Sequence, residues 1–129
     1  MGEVAYVDAS ALVKLIVDEP GSTAMHHWFI ETERLLTSRV GAIETRRAAA
    51  RVAHEAGRVD AVLDLVELIE LDHAISTRAA TTGPVGLKTL DAIHLSTAIE
   101  IGPINAFVTY DDRLAEAARL VGLPVVRPA

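Results

Sequence analysis

"EVAYVDASALVKLIVDEP", residues 3–20, passes from one kind of structure to another around a single aspartate. The first half alternates and ends on Asp8, which is the pattern of a strand. The second half has helical spacing, with Ser10 placed to cap a helix that Pro20 helps to stop. Strand followed at once by helix is the unit from which parallel α/β sheets are built.

The same unit recurs along the chain. "GSTAMHHWFIETE" is expected to form a second helix, "RLLTSRV" a short strand, and the alanine-rich "VGAIETRRAAARVAHEAG" a long helix closed by Gly57. "RVDAVLDLVELI" is again helical and runs into a strand at "LIELD". "HAISTRAATTGPVG" starts as a helix and is broken by Gly83, Pro84 and Gly86, ahead of a longer helix in "LKTLDAIHLSTAIEIG". "INAFVTYD" reads as a strand, "DRLAEAARLVG" as a helix stopped by Gly122, and "LPVVRPA" as a short final strand. The expected order is β, α, α, β, α, α, β, α, α, β, α, β. It predicts an α/β fold, a three-layer α/β/α sandwich whose central, mostly parallel sheet carries helices on both faces.

Composition limits what such a fold can do. The chain has 129 residues, which predicts one domain spanning 1–129 with a sizeable core. No apolar run is long enough to cross a bilayer, and the start lacks a signal-peptide pattern, so a cytoplasmic protein with no membrane partner is expected. The chain has no cysteine, which rules out disulfides and thiolate metal sites, and any metal must bind oxygen or imidazole. Twelve basic against eighteen acidic residues leave a formal charge of −6, so a nucleic-acid partner would have to meet a local basic patch.

Ligands of open α/β sheets bind beyond the carboxyl ends of the strands. The two clearest strands both end in acid, at Asp8 and Asp111, so a parallel sheet brings both carboxylates to one edge. Either aspartate also suits the first turn of the helix after it, as a cap. Asp91 is harder to place. On a helical wheel Leu90, Leu95, Ala98, Ile99 and Ile101 surround it, while Thr89, Ser96 and Glu100 lie opposite, so its carboxylate is expected to face the core as the deepest acid of the set. Burying an ionised carboxylate costs several kcal/mol unless it is paired, hydrogen-bonded or bound to a cation. Three acids at one edge, without cysteine or a spaced histidine pair, suit a hard ion such as Mg²⁺, or Mn²⁺ in its place. Glu44 has no such wheel argument, since its side of the helix also carries Arg47, Arg51 and Glu55, and by itself it reads as a solvated helix residue.

"YVDASALVKL", the glutamate of "IETRRA", "LDAIHLSTA" and "FVTYDDRLAEAA", in this order and spacing, resemble PIN-domain ribonucleases, most closely VapC-like toxins of toxin–antitoxin modules. The resemblance runs over essentially the whole chain. It implies that Asp8, Glu44, Asp91 and Asp111 are catalytic metal-binding acids, with Ser10 and Thr109 as accompanying hydroxyl residues and Asp112 as the alternative acid beside Asp111. It further implies a metal-dependent endoribonuclease that cuts single-stranded or loop RNA to leave a 3′ hydroxyl and a 5′ phosphate. A homodimer and a cognate antitoxin, its C-terminal segment lying over the site, are also implied. A PIN nuclease of RNA processing, outside any toxin–antitoxin module, is the nearest alternative.

Lys14, Arg46, Arg47, Arg51 and Lys88 lie close to these motifs and are candidates for phosphate contacts. His26, His27, His54 and His73 have no spaced partners and read as surface or structural residues. His94, one turn after Asp91, reads as a core histidine able to hydrogen-bond a carboxylate, and Trp28 and Phe29 as core aromatics. A receiver-like phosphoacceptor domain would need an acceptor such as Asp72 at the end of a central strand and a lysine after a late strand, yet "VTYDDR" has none. A dehalogenase-like phosphatase would need a second aspartate where Ser10 stands, and a purely binding domain would leave Asp91 unexplained.

Overall fold

The computed structural model describes residues 3–129. Twelve elements follow one another: β1 (Val4–Val7), α1 (Ala9–Ile16), α2 (Ser22–Glu31), β2 (Arg34–Ser38), α3 (Arg39–Ala49), α4 (Arg58–Leu63), β3 (Glu67–Ile69), α5 (His73–Ala79), α6 (Thr89–Ile101), β4 (Ala106–Val108), α7 (Asp112–Leu120) and β5 (Val125–Val126). This is the order expected from the sequence. The five strands form one sheet in the order β3-β2-β1-β4-β5, and every pairing is parallel.

Alternation along the strands builds the three layers. Ala5 and Val7 of β1, with Ala106 and Val108 of β4, face a core made with α1, α2, α3 and α4. Tyr6 and Phe107, between them in sequence, face the opposite core with Leu95 and Ala98 of α6 and Leu114 and Ala117 of α7. Both faces of the central strands are therefore dry, as a parallel sheet requires.

From β1 the chain moves outward through β2 to β3, then returns to the other side of β1 for β4 and β5. The order reverses between β1 and β4, and at such a switch point the carboxyl ends of neighbouring strands leave a crevice. Asp8 follows β1 and Thr109 follows β4, so the crevice opens between them.

Four local expectations are corrected. Asp8, not Ser10, is the N-cap of α1, because its carboxylate accepts the Ala11 amide at 3.0 Å. Helix α3 ends at Ala49 and does not reach Gly57, since residues 51–57 are all exposed and offer no apolar face to bury. Propensity without burial does not hold a helix in water. Asp72 follows an edge strand and caps α5 by accepting the Ile75 amide at 2.9 Å, which removes the acceptor position of a receiver domain.

The wheel of α6 is the fourth. The helix packs against α5, α3 and β2, and every residue from Ala92 to Ala98 is buried, Ser96 included. Leu90, placed by the wheel in the core, is 47 % exposed, and Asp91 is only half-buried. A helix wrapped on several sides has no single apolar stripe, so the wheel had no polar face to measure from.

Candidate active site

Asp8 is the deepest acid of the crevice, at 4 % exposure, a place the sequence assigned to Asp91. Its Oδ1 accepts from the Ser10 hydroxyl at 2.7 Å and from the Ala11 amide, and its Oδ2 accepts from the Thr109 hydroxyl at 2.6 Å. Burial pushes the carboxyl up from its ordinary range, and the Thr109 and Ser10 hydrogen bonds pull it back. Oδ2 keeps an acceptor position free of these donors.

Thr109 and Ser10 are both tied to the loop after β4. Thr109 Oγ1 accepts the Asp111 amide at 3.0 Å, and Ser10 Oγ accepts the Tyr110 amide at 2.8 Å. Two short side chains thus lock the end of β1 to the end of β4. Asp111 caps α7 by accepting the Leu114 amide at 3.1 Å. Its neighbour is turned elsewhere: the Asp112 side chain is 90 % exposed and paired with Arg127 at 2.8 Å. The structure separates the two adjacent acids and puts Asp111 at the crevice.

Asp91 sits in the first turn of α6, where its carboxyl is raised by burial and then by the negative charge of Asp111 and of Glu44, against a smaller opposing influence from His94 and Lys88. The three acids therefore share one field. Glu44 is held from α3, 29 % exposed, with its Oε1 2.6 Å from His94 Nε2. His94 Nδ1 lies 2.6 Å from the Tyr6 hydroxyl, which also accepts the Ser38 amide at 3.2 Å. His94 is both of the things expected of it, a buried, satisfied histidine and the hydrogen-bond partner of a carboxylate. Tyr6 was not singled out in the sequence. The available signal was a tyrosine two residues before Asp8 on a buried strand, where a hydroxyl must find a partner.

The basic candidates divide. Lys14 donates to Glu19 and to the Pro20 carbonyl and lies 4.5 Å from the Tyr110 ring centre, and Arg46 pairs with Asp60 at 2.9 Å. Lys14 nevertheless lines the groove described next, whereas the Arg46 pair is exposed and worth little to stability. Arg47 and Arg51 line a groove of about 730 Å³ beside Ser10 and Glu44, together with the exposed apolar side chains Ile43 and Leu90. Of the aromatic pair in α2, Phe29 belongs to the core and Trp28 packs partly buried against it.

The site presents oxygen donors, as a hard cation requires. Among the described residues, however, no three His, Asp or Glu side chains converge closely enough to form a ready cage. That arrangement fits a small ion that keeps several waters and takes only one or two carboxylates, the habit of Mg²⁺, and it does not fit an all-protein cage.

Comparison with known proteins identifies the family and the fold. The family model described as PIN domain matches residues 5–120. Ribonuclease VapC35 of Mycobacterium tuberculosis is 41 % identical over 129 residues, covering 95 % of this chain and 96 % of the relative. Ribonuclease VapC47 of the same species is 37 % identical over 130 residues, with the same coverage of each chain. Among solved structures, M. tuberculosis VapC20, a sarcin-ricin-loop-cleaving toxin, superposes with a TM-score of 0.75 at 16 % identity, covering 96 % of this chain and 99 % of its own. VapBC2 of Rickettsia felis, bound to a DNA fragment from its promoter, gives 0.67 at 12 % identity, with 98 % and 99 % covered. At those identities the two structures speak for the fold. The matched residues begin in β1 and end with α7, so they take in Asp8, Glu44, Asp91 and Asp111, and the chain belongs to the PIN-domain family, among its VapC-like members.

Proposed function

We propose that this chain is a Mg²⁺-dependent endoribonuclease of single-stranded or loop RNA and the toxin of a type II toxin–antitoxin pair. The observation that carries the reading is the hydrogen-bonded path from Asp8 through Thr109 to the Asp111 amide, at a switch point that Asp91 and Glu44 also face. The ribonuclease names of relatives at 37–41 % identity support the reaction class.

One or two of the carboxylates of Asp8, Glu44, Asp91 and Asp111 would hold the ion directly and the others would reach it through its waters, with Mn²⁺ as a substitute. When bound, the ion supplies a water of lowered pKa and positive charge opposite the developing charge on phosphate. The chain's own residues prepare that site. Ser10 and Thr109 fix the Asp8 carboxylate against rotation, and α7 fixes Asp111 through its cap. Arg47, Arg51 and Lys88 offer cations for flanking phosphates, and they position RNA without reading its bases.

The groove beside Glu44, apolar at Ile43 and Leu90 and basic at Arg47 and Arg51, suits a segment of a cognate antitoxin with apolar and acidic residues. An isologous homodimer is the commonest symmetric assembly and is proposed for this chain too, in the cytoplasm. No helix among the described residues is long and apolar enough to cross a membrane.

The test is to incubate pure protein with end-labelled RNAs, in Mg²⁺ or in chelator, and to identify the ends produced. Cleavage in Mg²⁺ alone, leaving a 3′ hydroxyl and a 5′ phosphate, is expected. Equal cleavage in chelator would exclude the metal-dependent reading.

A further inference from the structure

Glu44 differs from the other acids of the crevice. Asp8 and Asp111 are fixed by the backbone they cap, whereas Glu44 lies mid-helix at the end of a flexible side chain. Its one hydrogen bond among the described residues comes from His94, fifty positions away. What fixes His94 therefore fixes Glu44.

His94 is 2 % exposed and, as a neutral ring, lies between two side chains it can serve only in one way. A carboxylate accepts, so the proton at Nε2 must point to Glu44, at 2.6 Å. In the neutral ring Nδ1 then accepts, and the Tyr6 hydroxyl, 2.6 Å away, is the donor. Tyr6 in turn accepts the Ser38 amide at 3.2 Å, which leaves its proton for the histidine. The path runs in one direction, from the β2–α3 junction through two buried rings to the carboxylate.

The rings have little freedom. Tyr6 is fully buried, stacked on Phe107 at 5.2 Å between centres and met edge-on by His94 at 5.7 Å. Ser38 also caps α3 through the Gly41 amide at 2.8 Å, so the helix that carries Glu44 starts from the residue that orients Tyr6. Gly41 is the close-approach point. A Cβ there would collide with Thr37 Oγ1 and stand 3.1 Å from His94 Cε1, pressing the ring out of line.

We propose that Tyr6 and His94 are positioning residues that hold the Glu44 carboxylate in the crevice, with Gly41 leaving the space that the histidine ring needs. The inference rests on the reading of Glu44 as a metal-binding acid. Neither residue touches RNA in this account, and both act through Glu44. Hydrogen-bond partners of metal-binding carboxylates are worth about 10–100-fold in metal affinity or activity.

The test compares the full chain with H94L, H94Q and Y6F. Circular dichroism gives the folded fraction, ¹⁵N NMR of the metal-free protein gives the histidine tautomer, Mn²⁺ titration gives ion affinity, and RNA cleavage gives kcat and KM. The wild-type His94 ring is expected to carry its proton on Nε2. H94L should lose about 10–100-fold in Mn²⁺ affinity and in kcat with KM unchanged. H94Q, whose amide N–H can reach Glu44, should recover most of that loss, which a merely structural histidine would not predict. Y6F should mix the tautomers and weaken Mn²⁺ binding in a folded protein, and it carries the test if H94L does not fold. The proposal is overturned by a wild-type Nδ1–H tautomer, by wild-type Mn²⁺ affinity in Y6F or folded H94L, or by H94Q no better than folded H94L. Absent RNA cleavage alongside the expected tautomer and Mn²⁺ results would instead sink the nuclease reading and leave the positioning role standing.

Discussion

Thr109 Oγ1 donates to Asp8 Oδ2 at 2.6 Å, so the hydroxyl that ends β4 satisfies the carboxylate that ends β1. The pair is buried, and the same oxygen of Thr109 accepts the Asp111 amide. One side chain thus orders two acids on different strands. Thr109→Val keeps the shape but leaves Asp8 Oδ2 without its donor, at a cost of about 1–3 kcal/mol in urea unfolding. Thr109→Ser should retain most of the stability and the activity.

The contribution of Asp8 and Asp91 to metal-free stability should fall as pH rises. Burial raises the Asp8 carboxyl, and burial with the Asp111 charge raises that of Asp91. Each group then binds more protons folded than unfolded once pH passes the unfolded value of about 3.9, so stability declines from there until the raised folded value is passed. In Asp91→Asn the Asp91 share of that decline disappears. Urea melts across this pH range should show a shallower slope for the variant, and a stability at neutral pH equal to or above wild type. Unfolding of the metal-free variant would mean that Asp91 is a structural hydrogen-bonding residue.

The adjacent acids should separate cleanly. Asp111→Asn weakens the α7 cap only slightly, since asparagine also caps, but removes a charge from the crevice and should depress cleavage. Asp112→Asn breaks only an exposed pair with Arg127, worth at most about 1 kcal/mol, and should leave cleavage as it was. Parallel melts and cleavage rates check both.

Removing the groove cations should weaken RNA binding in a salt-sensitive way. Each phosphate that Arg47→Ala or Arg51→Ala leaves without its cation should shrink the slope of log affinity against log salt by about 0.7. Filter binding to a single-stranded RNA across salt concentrations measures it. An unchanged slope would return both arginines to the solvated surface.

What was legible in the sequence followed from local periodicity. Alternation in "VAYVD" placed Asp8 directly after β1, whereas Asp111, expected to end the strand of "AFVTYD", lies three residues beyond Val108 as the cap of α7, and parallel pairing of β1 with β4 sets both on the same edge. The error over Asp91 came from treating α6 as a helix with one wet face, when three neighbours cover it. The end of α3 was missed because its alanines favour helix wherever they stand, and only the absence of a surface to cover stops it. Tyr6 and His94 meet across 88 positions, and no local pattern records that contact. Glu44 was likewise invisible to the wheel, since its partner arrives from another helix, and only the family resemblance marked it.

The central claim, that the carboxylates at the switch point act together on RNA through a bound cation, is tested most directly by the single-turnover cleavage rate of Asp91→Asn in saturating Mg²⁺. A loss of at least about 100-fold, or about 2.7 kcal/mol of barrier, is expected in a protein that remains folded. A folded variant that cleaves at the wild-type rate would contradict it.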